Sequence, residues 1–195
     1  MSATDPQLEV ITGCMFSGKT EELIRRLERV RIARGEILLF KPTIDDRYST
    51  TSVMTHYGRE FPAHLLPPGE ETMETLKRIV GLDAIERAAV VAFDEGNFFS
   101  ELLPQLCQDL VDLGKRVIVS GLDLTFAAEP FGPMPTLMAL AEKIDKLVAV
   151  CVKCGGEATK SQRLVDGKPA PSNGEVIKVG GLGSYEARCR DCYEK

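Results

Sequence analysis

The chain has 195 residues, enough for one domain or for one domain with a small appendage. Its hydrophobic fraction of 44% and charged fraction of 27% are those of a globular protein rather than a disordered or fibrous one. A formal net charge of −5 argues against a protein built to hold nucleic acid by its phosphates, and no apolar run approaches the length of a membrane span.

The N-terminal segment carries Asp5 and has no apolar centre, so it does not read as a secretory signal, and a soluble, cytoplasmic protein is expected. Leu8–Ile11 reads as a first buried strand, and Gly13 ends it. A helix follows over Thr20–Ala33, because Leu23, Leu27 and Val30 recur at helical spacing between charged residues. Ile37–Phe40 is a second strand, closed by Lys41-Pro42. Thr43–Tyr57 is polar and aperiodic and is expected to be a loop, and Leu65–Gly69 is a Pro-rich connection. Glu71–Gly81 reads as a helix. The β-branched run Val90–Asp94 reads as a third strand. A helix over Leu102–Leu113, capped by Gly114, precedes a fourth strand, Val117–Gly121. Thr136–Ile144 reads as a helix and Lys146–Val150 as a fifth strand. Strands alternating with helices define an α/β fold, a mostly parallel sheet flanked by helices. Ligands of such sheets sit at the carboxyl ends of the strands, where Gly13, Asp94 and Gly121 gather. From Cys151 onward glycines and short β-like runs replace helices. A domain boundary is expected there, with residues 1–150 forming the main α/β unit and 151–195 a small second unit.

The junction after the first strand carries the chemistry. Gly13-Cys14-Met15-Phe16-Ser17-Gly18-Lys19-Thr20 has the form G-x-x-x-x-G-K-[ST] between a strand and a helix, the context of a phosphate-binding P-loop. The glycines let backbone N–H groups turn inward, and the helix N-terminus adds positive potential. Lys19 is expected to reach the β- and γ-phosphates, and the Thr20 hydroxyl to ligate Mg²⁺. Val90–Phe93 followed by Asp94-Glu95 has the form of a Walker B element, with Asp94 serving the magnesium directly or through water. Glu95 is placed to accept a proton from a hydroxyl acceptor as the phosphoryl group arrives. Were the acceptor water, the same residue would make an ATPase, and the motif alone does not separate the two.

Six cysteines fall into two groups. Cys14 and Cys107 stand alone. Cys151-x-x-Cys154 and Cys189-x-x-Cys192 form two pairs at the ends of the segment Gly155–Arg188, and in a cytoplasmic chain this pattern points to metal rather than disulfides. Two facing C-x-x-C turns complete a tetrahedron for Zn²⁺. Four thiolates leave no open position, so such a zinc is structural. The segment it clamps contains Gly180-Gly181-x-Gly183, suited to close approach of backbone to a ligand.

Taken together, these motifs resemble the type II, cellular-type thymidine kinases over nearly the whole chain. The resemblance rests on Met15-Phe16-Ser17-Gly18-Lys19-Thr20-x-Glu22-Leu23, on Asp45-Asp46-Arg47-Tyr48, and on Asp94-Glu95-Gly96-Asn97-Phe98-Phe99. It continues through Gly121-Leu122-Asp123 with Phe126, Pro130-Phe131-Gly132, Arg163, Gly167-Lys168-Pro169-Ala170, Val179-Gly180-Gly181, Tyr185 and Cys189-Arg-x-Cys192-Tyr193. It implies that ATP phosphorylates the 5′-hydroxyl of thymidine, with Glu95 as general base. The ATP and magnesium site would comprise Gly13, Cys14, Met15, Phe16, Ser17, Gly18, Lys19, Thr20, Asp45, Arg47, Asp94 and Asn97. Phe126 matches the aromatic that stacks on thymine, and Met15, Leu122, Ser161 and Tyr185 match positions around its methyl group. The zinc-clamped segment matches the family's lasso, whose backbone near Val179, Gly180 and Gly181 reads the base edge. The family further implies a homotetramer, feedback inhibition by dTTP, and no nucleic-acid partner.

Three positions depart from the family pattern. Cys14 replaces a Pro, which removes a φ constraint and is expected to place an exposed thiol, with a lowered pKa, near a helix N-terminus. Asn97 replaces a Gln and reaches one methylene less far. Ser161 replaces a Thr and removes a methyl from the base pocket, a change expected to loosen discrimination against deoxyuridine by about 1 kcal/mol. His56 and His64 are expected in loops and have no role.

Overall fold

A computed structural model describes residues 5–44, 52–54, 60–171 and 184–194. Its centre is a six-stranded sheet in which every pairing is parallel. In chain order the strands are β1 (Gln7–Gly13), β2 (Glu36–Pro42), the short hairpin β3 (Ser52–Met54) and β4 (Glu60–Pro62), then β5 (His64–Leu66), β6 (Ala88–Phe93), β7 (Arg116–Gly121) and β8 (Lys143–Leu147). The sheet order is β5-β2-β6-β7-β1-β8, and β3 with β4 forms a separate antiparallel pair. The helices are α1 (Lys19–Ile32), α2 (Met73–Val80), α3 (Leu82–Arg87), α4 (Leu103–Asp112) and α5 (Met134–Leu140).

The period of two along each strand divides the core. Leu8, Val10, Leu38, Phe40, Val91, Phe93, Val117 and Val119 pack with α2 to α5 on one face. Ile11, Leu39, Val90, Ala92 and Ile118 face the other way, onto Leu23, Ile24, Leu27 and Val30 of α1 and onto Val53 and Phe61 of the hairpin. Helix α1 carries Glu21 and Glu22 in its first turn and Arg29 and Arg31 in its last, the arrangement its dipole favours.

Four expectations change in detail. The connection Leu65–Gly69 begins inside β5, where His64 pairs with Phe40, so His64 lies on a strand. Three residues are too few to show an alternating pattern. Helix α2 starts later than Glu71, because Thr72 caps it by accepting from Thr75 N at 3.2 Å. Buried Glu71 instead accepts from Ser100 N and Oγ, at 2.8 and 2.6 Å. The helix expected over Thr136–Ile144 stops at Leu140, and the last sheet strand is Lys143–Leu147 rather than Lys146–Val150. Its sequence, Lys-Ile-Asp-Lys-Leu, is charged because it is an edge strand, and charge protects such edges from further pairing. Within the segment expected to be a loop, residues 52–54 form β3, while 45–51 and 55–59, His56 among them, lie outside the described residues. Among the described residues, no helix is long and apolar enough to cross a membrane.

Beyond β8 the sheets are small. β9 (Ala149–Val150) pairs with β10 (Glu157–Ala158), and β11 (Lys160–Val165) lies between β12 (Lys168–Pro169) and β13 (Tyr185–Arg188).

A charge cluster joins α1 to the sheet. Glu9, buried on β1, accepts from Arg26 Nη1 at 2.6 Å, Arg116 Nε at 2.7 Å and Gln7 Nε2 at 2.8 Å. Arg26 also donates to Glu22 at 2.8 Å and to Asp145 on β8 at 2.6 Å. Burial pushes the Glu9 carboxyl up, but Arg116 and Arg26 outweigh it and its pKa is lowered. For Glu22 the hydrogen bond from Arg25 is the largest influence, burial opposes it, Arg26 adds to it, and the carboxyl is held at about 2. An acid whose pKa drops on folding stabilises the fold above its ordinary value and loses that contribution as the pH falls toward the folded value. In urea unfolding, the stability gap between the parent and Glu22→Gln should therefore be full at neutral pH and close between pH 4.5 and about 2. A gap independent of pH would contradict this assignment.

Candidate active site

The carboxyl ends of β1, β6 and β7 meet at one rim. Gly13 closes β1 with φ 141°, and a Cβ there would stand 2.3 Å from the Leu147 carbonyl oxygen, so only glycine fits. The chain then loops back on itself. The carbonyl of Cys14 accepts from Ser17 Oγ and from Lys19 Nζ, both at 2.8 Å. Phe16 and Gly18 take left-handed conformations, φ 65° and 84°, and Gly18 N-caps α1, which begins with Lys19 and Thr20. The Met15 N–H donates to Ser161 Oγ on β11 at 3.0 Å. Burial pushes the Lys19 ammonium below its ordinary value, while the charges of Glu95, Cys14, Asp94 and Asp123 act the other way.

The second element of the rim follows β6. Asp94 is buried, and its N–H donates to Phe40 O at 2.9 Å, which prolongs the β2–β6 pairing to the carboxylate. Glu95 has φ 51° and ψ 42°, a left-handed conformation costly for a residue with a Cβ, and it opens a 3-10 turn over Gly96–Phe98. That conformation turns the chain sharply next to the P-loop lysine. Asn97 is buried, and its Oδ1 accepts from Leu122 N at 2.8 Å, so the shorter side chain still bridges to the loop after β7. Its Nδ2 has no hydrogen-bond partner among the described residues.

The third element follows Gly121, whose carbonyl accepts from Thr12 Oγ1 at 3.0 Å. Asp123 and Lys146, for which the motifs gave no role, also reach this rim, with Oδ2 2.7 Å from Nζ. Lys146 is legible only once β8 is placed correctly, beside Thr12 of β1. Phe126 is buried, and the Arg163 guanidinium lies 5.1 Å from its ring centroid, within cation–π range. Ser161 and Tyr185, both buried, stand on β11 and β13, where Tyr185 pairs with Arg163. Asp45, Arg47, Val179, Gly180 and Gly181 lie outside the described residues.

Cys14 corrects one expectation. It is 2% exposed and packs with Ala149, Cys151, Ala158 and Ala187, and its Sγ donates to Ala158 O at 3.2 Å. Burial raises its pKa, outweighing the charge of Lys19 beside it. The thiol is thus neither exposed nor activated, because its surroundings are apolar rather than the open N-terminus of a helix.

The four paired cysteines are free thiols whose Sγ atoms all lie within 4.8 Å of one another. Four sulfurs bound to zinc at about 2.3 Å stand about 3.8 Å apart. Cys154 Sγ is 3.7 Å from Cys189 Sγ. In ligand type, number and spacing the cluster is compatible with a structural zinc.

A parallel α/β sheet whose strand ends gather a glycine-framed lysine, two adjacent carboxylates and an aromatic-bearing loop has the arrangement of an enzyme acting on nucleoside triphosphates, and the chain's relatives decide that it is an ATP-dependent kinase. The chain belongs to the thymidine kinase family, whose model matches residues 6–193. It is 52% identical over 191 residues to a thymidine kinase of Chloroflexus aurantiacus, covering 96% of this chain and 94% of that one. It is 51% identical over 185 residues to one from Coprothermobacter proteolyticus, covering 95% and 89% of the two chains. A Halobacterium salinarum thymidine kinase is 45% identical over 186 residues, covering 95% and 93%.

The burial of Cys14 is open to direct test. In native protein treated with iodoacetamide, the Cys14 peptide should label as slowly as that of Cys107, which is fully buried, and both should label rapidly in denaturant. Rapid native labelling of Cys14 would show that the P-loop is open where the structure closes it.

Proposed function

We propose that the protein transfers the γ-phosphate of ATP to the 5′-hydroxyl of thymidine, giving dTMP and ADP. The observation that carries this reading is the match to the thymidine kinase family over residues 6–193, and the nearness of Glu95 and Asp94 to Lys19 at the strand ends supports it. In this reading the N–H groups of the loop from Gly13 to Gly18 and the Lys19 ammonium hold the phosphates. Thr20 and Asp94 would hold a magnesium ion, which supplies charge neutralisation to the phosphates when bound. Glu95 accepts the proton of the 5′-hydroxyl. The new bond joins the 5′-oxygen to the γ-phosphorus, the bond from that phosphorus to the β–γ bridging oxygen breaks, and ADP departs with that electron pair. Asp45 and Arg47 approach the phosphates, and Asn97 braces the loop behind Glu95.

The nucleoside lies between the kinase unit, residues 1–150, and the lasso unit, residues 151–195. Phe126 carries the thymine ring, and Met15, Leu122, Ser161 and Tyr185 surround the methyl group. The backbone at Val179, Gly180 and Gly181 reads the base edge, and a wrong base leaves those polar groups unpaired. Zinc bound by Cys151, Cys154, Cys189 and Cys192 closes the base of the lasso. The remaining family properties are proposed with it: a cytoplasmic homotetramer, inhibited by dTTP, with no nucleic-acid or membrane partner.

Three measurements test this reading. In a nucleoside panel with magnesium and ATP, thymidine should be the best acceptor and deoxyuridine the second, with cytidine-type and purine nucleosides poor. Glu95→Gln should lower single-turnover transfer by about 10²–10⁴-fold while both substrates still bind. ATP turnover independent of any nucleoside, or near-parent transfer by the variant, would overturn it. Elemental analysis of protein purified without chelator should find one zinc per chain, and absence of zinc, or disulfides among the four cysteines, would refute the metal assignment.

A further inference from the structure

Phe126 sits in a turn that braces itself. Thr125 N donates to Glu129 O at 2.8 Å, Ala128 N donates to Thr125 O at 3.0 Å, and Ala128 is left-handed with φ 62°. The Phe126 carbonyl is used differently. It accepts the hydroxyl of Tyr193 at 2.6 Å, from 67 residues away in sequence. That is shorter than the usual hydroxyl–carbonyl separation of about 2.7–2.8 Å.

Tyr193 is itself held firmly. It follows Cys192 directly, and its N–H donates to Cys189 O at 3.0 Å. The next residue, Glu194, forms a reciprocal pair with the buried amide of Gln162: Glu194 N donates to Oε1 at 2.8 Å and Nε2 donates to Glu194 O at 3.0 Å. Arg188, also buried, donates to Cys192 O at 3.1 Å and to Glu194 Oε1 at 2.6 Å. Three consecutive residues of β11 thus hold three parts of the molecule. Ser161 takes the P-loop N–H of Met15, Gln162 takes the tail, and Arg163 lies over the Phe126 ring.

We propose that Tyr193 is a positioning residue for nucleoside recognition: its hydroxyl fixes the backbone under Phe126 while Arg163 fixes the ring. The inference rests on the reading of Phe126 as the platform for the base. A platform held on its backbone and on one ring face is ordered before the nucleoside arrives, so binding does not have to order it. The four-cysteine cluster, through Cys192, supplies the fixed end of this strut.

The test is Tyr193→Phe in the full chain, which removes one hydroxyl and keeps the ring. Loss of a single hydrogen bond of this kind corresponds to about 3–10-fold in affinity. Thymidine affinity, measured by calorimetry without ATP, should weaken by that factor and the KM for thymidine should rise with it. The KM for ATP, kcat and zinc content should stay at the parent values. Unchanged thymidine affinity overturns the proposal. So does a variant that loses zinc or raises both KM values together, because that is a structural role. Phe126→Leu, measured in parallel, separates the two layers. If Phe126→Leu binds thymidine like the parent, the platform reading itself fails. If it weakens binding while Tyr193→Phe does not, only the role of the tyrosine fails.

Discussion

The rest of the site depends on the burial of one P-loop side chain. Cys14 is packed among Ala149, Cys151, Ala158 and Ala187, so the loop that would cradle phosphate shares a small core with the four-cysteine unit. A free-standing glycine loop could adopt many shapes. This one is pressed on one side by the Leu147 carbonyl against Gly13 and is held on another by Ser161 at the Met15 N–H. The loop and β11, which carries Ser161, are therefore parts of one packed object. A shift in either is transmitted through contacts that close-packed interiors do not absorb.

Parallel strands bring their carboxyl ends to one side, and the chemistry follows from that arrangement. Lys19, at the start of α1 after the loop that follows β1, and the acids from the end of β6 face each other without any long excursion of the chain. The left-handed conformation of Glu95 is the local strain this geometry requires. The Asn97 bridge to Leu122 fixes the distance between the acidic turn and the loop bearing Phe126. Lys19 is withdrawn from water and set beside the charges of Glu95 and Asp94, and fixed charges act most strongly in such a poorly hydrated setting.

Much of this was legible in the sequence, and for identifiable reasons. The P-loop, the Asp94-Glu95 pair and the two C-x-x-C turns are local patterns in which spacing dictates geometry. The interior strands are long apolar runs, and β1, β2, β6 and β7 fall where those runs do. The edges were not legible. β5 is three residues long, and β8 is charged because its outer side lacks a partner strand, so each lacks the apolar signature of a buried strand. Misplacing β8 concealed Lys146 beside Asp123. Cys14 was misjudged because its neighbours come from more than 130 residues away in the chain, and no local pattern announces such an environment. Tyr193 belonged to a recognisable motif, but its partner, Phe126, is 67 residues away, beyond the reach of any local pattern.

The cluster around Glu9 sets the alignment of the strands as well as holding them. Glu9 meets Arg116 from β7 and, through Arg26, reaches Asp145 on β8, so one carboxylate is matched to both neighbours of β1. Because side chains alternate, sliding β1 by a single residue would turn Glu9 onto the opposite face, beside Val117 and Val119 of β7 and away from Arg26 and Arg116. A stranded carboxylate in that apolar layer is expensive. The same slip would carry Gly13 away from the one carbonyl it is shaped to pass. β1 is thus keyed at both ends, by charge where it enters the sheet and by absence of a side chain where it leaves, and a misaligned sheet could not assemble the lysine loop at all.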